Sequence, residues 1–78
     1  MSRSEFFAAV AHEFGPIQGR VVMRNFIVRD LGDLSALDAL DAGVAPRQVW
    51  RALCGSMGIP EHRWRKSGAL GFESDTPN

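Results

Sequence analysis

Glycine and proline cut this chain into short pieces, and that punctuation limits its architecture more than any other feature. Gly15-Pro16, Gly32, Gly43 with Pro46, and Gly58 with Pro60 separate four apolar-patterned segments. Proline has no amide donor and clashes with a preceding helical turn, so helices stop before it or begin at it. Glycine accepts the left-handed backbone on which many helices close. The longest stretch between breaks, residues 16–31, is long enough for only about four helical turns. A chain of 78 residues divided in this way is expected to be one domain of short packed helices.

Ser2-Arg3-Ser4-Glu5 has capping-box spacing, with a hydroxyl for the amide three residues on and a carboxylate returning to the cap amide. Phe6, Phe7, Val10 and Phe14 then recur at helical spacing beside Ala8 and Ala11, opposite Glu5, His12 and Glu13. This predicts a helix over 3–14. Residues 16–31 carry two signals. Val21, Val22, Phe26, Ile27 and Val28 favour strands, yet a hairpin turning at Arg24-Asn25 lacks the glycine that tight hairpins use. An isolated two-stranded ribbon is also marginal. Read as a helix, Ile17, Val21, Met23, Phe26, Ile27, Val28 and Leu31 cover most of its circumference, as suits a helix gripped on several sides. The expectation is a helix from Pro16 to Leu31, ending at Gly32.

Ser35 with Asp38 caps a short third helix over 36–42, closed by Gly43. Pro46 opens a fourth running to Met57, in which Val49, Trp50, Leu53, Cys54 and Met57 share one arc and Arg47, Gln48, Arg51 and Gly55 the other. Gly58 closes it, with Ile59 folding back on Cys54 as a Schellman end requires, and Pro60 to Trp64 add one more turn. From Ser67 onward Gly, Ser, Pro and Asp dominate, which reads as a mobile tail. The expected fold is all-α: a compact single-domain bundle of four short helices with a helix-turn-helix-like corner, the helical domain over 1–66 and the mobile C-terminal tail over 67–78. Its expected core is Phe7, Val10, Phe14, Val21, Phe26, Ile27, Leu31, Leu37, Leu40, Val49, Trp50, Leu53 and Met57.

Several runs are more specific than their periodicity: Glu5-Phe6-Phe7, Glu13-Phe14-Gly15-Pro16, Ala39-Leu40-Asp41-Ala42-Gly43, Val49-Trp50-Arg51-Ala52-Leu53-Cys54 and Ile59-Pro60. Over residues 4–64 they resemble a family of short actinobacterial proteins known only as a domain of unknown function. The Val-Trp-Arg-Ala-Leu-Cys run after an Ala-Gly turn and a proline is the most specific part. The resemblance implies a cytoplasmic helical protein with no assigned activity and no catalytic residues to carry over. Members are often encoded beside the RecA recombinase and its regulator RecX, an association with DNA repair that supplies no mechanism.

Nine basic and nine acidic side chains give zero formal charge. That argues against a dedicated binder of nucleic acid or anionic membrane and leaves room for a local basic face. No apolar stretch approaches the roughly 20 residues a membrane-spanning helix needs, and no cationic segment leads into an apolar one as in a signal peptide. Cys54 alone cannot form an internal disulfide, so the reading is cytoplasmic. On the apolar arc with Trp50 and Met57, it reads as a small buried hydrophobe and not as a nucleophile. His12 and His62 form no paired motif, the glycines gather into no phosphate loop, and Asp30, Asp33, Asp38 and Asp41 lack calcium-loop spacing. The expectation is no enzyme, no metal and no cofactor.

Two interaction surfaces remain. Leu37 to Leu53 aligns with a helix-turn-helix, placing Ala39, Gly43, Val44 and Val49 where that motif wants a small residue, a turn glycine and apolar contacts. Arg47 and Arg51 would then face DNA. Asp38 falls where the motif is apolar, and the motif turns Trp50 outward while the apolar arc turns it inward. A tryptophan is the costlier residue to expose, so a plain helical corner is preferred. Arg63-Trp64-Arg65-Lys66 interleaves an aromatic with cations. The leading expectation is a non-enzymatic helical module, monomeric or weakly dimeric, contacting an unknown protein partner through Arg47, Arg51, Arg63, Trp64 and Arg65. The alternative, with nucleic acid as the less favoured partner, is a DNA-binding helix-turn-helix protein.

Overall fold

The computed structural model describes residues 1–64; Arg65, Lys66 and the tail expected to be mobile over 67–78 lie outside the described residues. The chain runs α1 (Arg3–Phe14), α2 (Pro16–Asn25), β1 (Ile27–Val28), a 3₁₀ turn (Arg29–Leu31), β2 (Leu34–Ser35), α3 (Ala36–Asp41) and α4 (Pro46–Ser56), followed by a helical turn over 61–64. It is a mostly helical single bundle, and α1 packs along α2 and against α4. Both bonds of the capping box form: the Glu5 amide donates to Ser2 Oγ at 3.1 Å and the Ser2 amide to Glu5 Oε1 at 2.7 Å. Gly15 closes α1 and Pro16 opens α2, as the sequence predicts.

The second segment corrects the expectation of one helix to Leu31. It is helical only to Asn25, and Ile27 and Val28 pair antiparallel with Ser35 and Leu34. The reversal lies later than the Arg24-Asn25 hairpin that the sequence argued against. It uses Gly32 at φ +81° and Asp33 at φ +62°, with the Asp33 amide donating to the Val28 carbonyl at 3.2 Å. Aspartate is among the few side-chain-bearing residues that tolerate the left-handed region, so Gly32-Asp33 supplies the geometry missing at 24–25. Nor is the ribbon isolated: β1 packs on α4 and β2 on α2 and α3, which removes the objection that a lone hairpin is marginal.

Phase shifts of one residue follow along α1 and α2. Phe6 and Val22 are buried, while Phe7, Val21 and Ile27, all expected in the core, are 38%, 45% and 54% exposed. The apolar residues of α1 fall on two neighbouring arcs that periodicity alone does not rank. Packing ranks them, because Phe6 sets its ring edge-on to Trp50, with centroids 6.2 Å apart at 85°, an arrangement aromatic quadrupoles favour. Gly19 lets α2 come close to α1; a β-carbon there would lie 2.9 Å from Val10 Cγ1. Val10, Leu31, Leu40, Val49, Trp50 and Leu53 are buried as expected, and Phe14, Phe26, Leu37 and Met57 pack half-buried at the edge of the core.

Both later helices end in Schellman turns. At α3 the Val44 amide reaches the Ala39 carbonyl and Gly43 the Leu40 carbonyl, each at 3.0 Å. At α4 Ile59 bonds back to Cys54 at 3.1 Å and Gly58 to Gly55 at 3.2 Å. These turns set α4 across the core with its arginine side outward.

Candidate functional site

The amphipathic pattern of α4 decides which groups meet the core and which meet solvent. Val49, Trp50, Leu53 and Cys54 are buried, while Arg47, Gln48 and Arg51 are exposed. The indole of Trp50 is 2% exposed, and its Nε1 donates to the Trp64 carbonyl oxygen at 3.0 Å. That bond satisfies the one polar atom the ring buries and ties the 61–64 turn over α4. The helix-turn-helix alignment, which needs this indole outside, is therefore wrong at position 50.

Along the exposed side of α4 runs an open groove of about 680 Å³. Its floor is Ala45, Arg47, Gln48, Arg51 and Ala52. One wall is Asp30 and Leu31 of the 3₁₀ turn, and Glu61 and Trp64 of the last turn also line it. Arg47 and Arg51 stand four residues apart on one helix face, where like charges destabilise a helix by a few tenths of a kcal/mol. Among the described residues neither arginine makes an ion pair. An anionic group placed in the groove would relieve that repulsion and bond to guanidinium donors in fork geometry.

The expected contact residues divide into three groups. Arg47, Arg51 and Trp64 line this one groove. Arg63 does not: its Nε donates to Glu13 Oε2 at 2.9 Å, and its terminal nitrogen bonds to the same oxygen. The Glu13 side chain is 5% exposed and that of Arg63 58%. The hydrogen bond and then the charge of Glu13 hold the Arg63 guanidinium above its ordinary pKa, so Arg63 pins the last turn to α1. Arg65 lies outside the described residues. Asp30, Leu31 and Glu61 were not singled out as lining. The first two reach the groove only because the chain reverses at Gly32-Asp33, a turn that the local pattern did not mark.

Cys54 is fully buried. Burial, and secondarily the charge of Glu13, pushes its thiol up to about 12, leaving it un-ionised at neutral pH, whereas nucleophilic chemistry needs the thiolate. Among the described residues no three His, Cys, Asp or Glu side chains gather as a metal site needs, and no helix is long and apolar enough to cross a membrane. A family model described as a protein of unknown function (DUF3046) matches residues 1–62. No curated protein and no solved structure matches the chain.

Proposed function

The chain belongs to the DUF3046 family, proteins of unknown function, and we propose that it is a non-enzymatic helical module acting through protein contacts at the α4 groove. One observation carries this reading: Arg47 and Arg51, which make no ion pair among the described residues, share a concave surface with the apolar Leu31, Ala52 and Trp64. Exposed cations beside partly buried aromatic surface are a composition enriched in protein interfaces. The occupant that fits is an extended or helical segment of another protein bearing acidic residues next to an apolar anchor. The un-ionised thiol of Cys54 supports a non-catalytic role. Cytoplasmic residence belongs to the same reading, on the strength of one cysteine held as a free thiol.

DNA binding by Arg47 and Arg51 is the rival. The Ala39, Gly43 and Val49 positions of the α3–α4 corner favour it, and the inward Trp50 weighs against it. Asp30 and Glu61 also line the surface that holds Arg47 and Arg51, and carboxylates there oppose a phosphate backbone. Affinity capture from the native host, with the wild-type chain and with Arg47→Glu/Arg51→Glu, tests the proposal beside a titration of duplex at low salt. The expected result is a stoichiometric partner retained by the wild type and lost from the folded variant, without duplex affinity. Equal capture by both chains, or duplex binding that falls steeply with salt, overturns it.

A further inference from the structure

The outer face of α2 is apolar where a solvated helix is normally polar. Gly19, Val22 and Met23 turn into the fold, and the opposite pole carries Ile17, 78% exposed, and Val21, 45% exposed, one turn apart. Scattered exposed apolar residues are ordinary, but these two form a stripe on one helix. Arg20 and Arg24 flank it, both exposed, and α2 contains no acidic residue. The helix packed beside it, α3, has the reverse character: Asp38 and Asp41 are exposed on its outer side and it contains no basic residue. Among the described residues none of these four charges makes an ion pair within its own molecule, although the two helices touch. Arg3 also reaches α3, but its guanidinium bonds to the Leu40 carbonyl oxygen at 2.9 Å and not to a carboxylate.

We infer that two copies of this chain pair through α2 about a two-fold axis. Ile17 and Val21 of each copy meet their counterparts, and Arg20 and Arg24 of each lie beside Asp38 and Asp41 of the other. A two-fold contact must be self-complementary, so that every pairing occurs twice. A cationic helix with an anionic helix at its side meets that condition, because the axis that stacks α2 on α2 sets each α3 next to the opposite α2. The pairing also relieves the repulsion of like charges one turn apart on each helix.

The face is small. Ten residues of helix are about 15 Å long, less than the roughly 800 Å² per partner of a standard interface requires, so the pair forms at roughly 0.1–1 mM. None of its six residues lines the α4 groove, so pairing is independent of what that groove binds. A crosslinker at Ile17 accordingly joins two copies of this chain, a product distinct in mass from a partner adduct at Gln48.

Amide relaxation and shifts of the full chain, recorded from roughly 0.05 to 1 mM, test this. The rotational correlation time is expected to rise toward about twice its dilute value as dimer replaces monomer. The amides of Ile17, Arg20, Val21, Arg24, Asp38 and Asp41 shift with it, while those of Arg47 and Gln48 do not. Arg20→Glu/Arg24→Glu and Asp38→Lys/Asp41→Lys each lose the concentration dependence alone. Mixing the two restores it, because an acidic α2 then meets a basic α3 and a basic α2 an acidic α3, a rescue that misfolded chains do not give. Ile17→Gln, at an exposed position, loses it without altering the fold and serves if a reversed helix fails to form. A correlation time constant with concentration overturns the inference. So do shifts confined to Arg47 and Gln48, association that survives the charge reversals or Ile17→Gln, or a mixture no more associated than either variant alone.

Discussion

The indole nitrogen of Trp50 donates to the carbonyl oxygen of Trp64 at 3.0 Å, so the same ring fills the core and fastens the last turn. Replacing it by phenylalanine keeps an aromatic ring against Phe6 but removes the donor and some volume. The expected loss is about 1–3 kcal/mol, combining a missing hydrogen bond with a small cavity. In urea denaturation the midpoint falls without a change in slope, and exchange at the 61–64 amides quickens. An unchanged midpoint would show that this bond does not hold the turn.

Three glycines should respond with different signs to alanine. Gly43, at φ +98°, forces a side chain into the left-handed region, and Gly43→Ala should cost about 1–2 kcal/mol. Gly19→Ala drives a methyl into Val10 and should cost about 1–3 kcal/mol by overpacking. Gly55 lies exposed inside α4 with open space at its β-carbon, so Gly55→Ala should stabilise by about 0.5–1 kcal/mol. Thermal unfolding of the three variants checks the order; a domain this small shifts by about 4–8 °C per kcal/mol.

The alkaline limb of stability belongs largely to Cys54. Its thiol ionises near 9.0 in the unfolded chain and near 12 in the fold. Above pH 9 the unfolded state binds fewer protons, and stability falls with a limiting slope of about 1.4 kcal/mol per pH unit. The contribution is complete below pH 9 and is lost by about pH 12. The chain has no tyrosine and a single lysine, Lys66, so little else titrates in that window. Cys54→Ala should flatten the curve between pH 9 and 11, measured by denaturation at each pH. An equal slope in both chains would mean that the thiol is not sealed.

Much of this structure was legible because it is written locally. The Ser2–Glu5 capping box, the Gly15-Pro16 break and the two Schellman glycines each act within a few residues, and α1, α3 and α4 lie where they imply. The ribbon was not legible, because pairing Ile27-Val28 with Leu34-Ser35 depends on α3 and α4 lying beneath it. The positive-φ pair that the reversal needs stands at Gly32-Asp33, well beyond the Arg24-Asn25 position. The choice between Phe6 and Phe7 waited on the position of Trp50, more than forty residues away. At the site, helical period placed Arg47 and Arg51 outside and Trp50 inside. Arg63 bonds to Glu13, fifty residues distant, and no local pattern announces such a pair.

The central claim is that the groove floored by Arg47, Gln48 and Arg51 is where this protein meets its partner. A photocrosslinking side chain placed at Gln48 in the native host tests it most directly, with the same probe at Ile17, which is 78% exposed and does not line the groove. The account predicts one discrete adduct from position 48, absent from position 17 and abolished when Arg47 and Arg51 are reversed to glutamate. Equal adducts from both positions, or none from position 48 while the protein is folded and expressed, would contradict it.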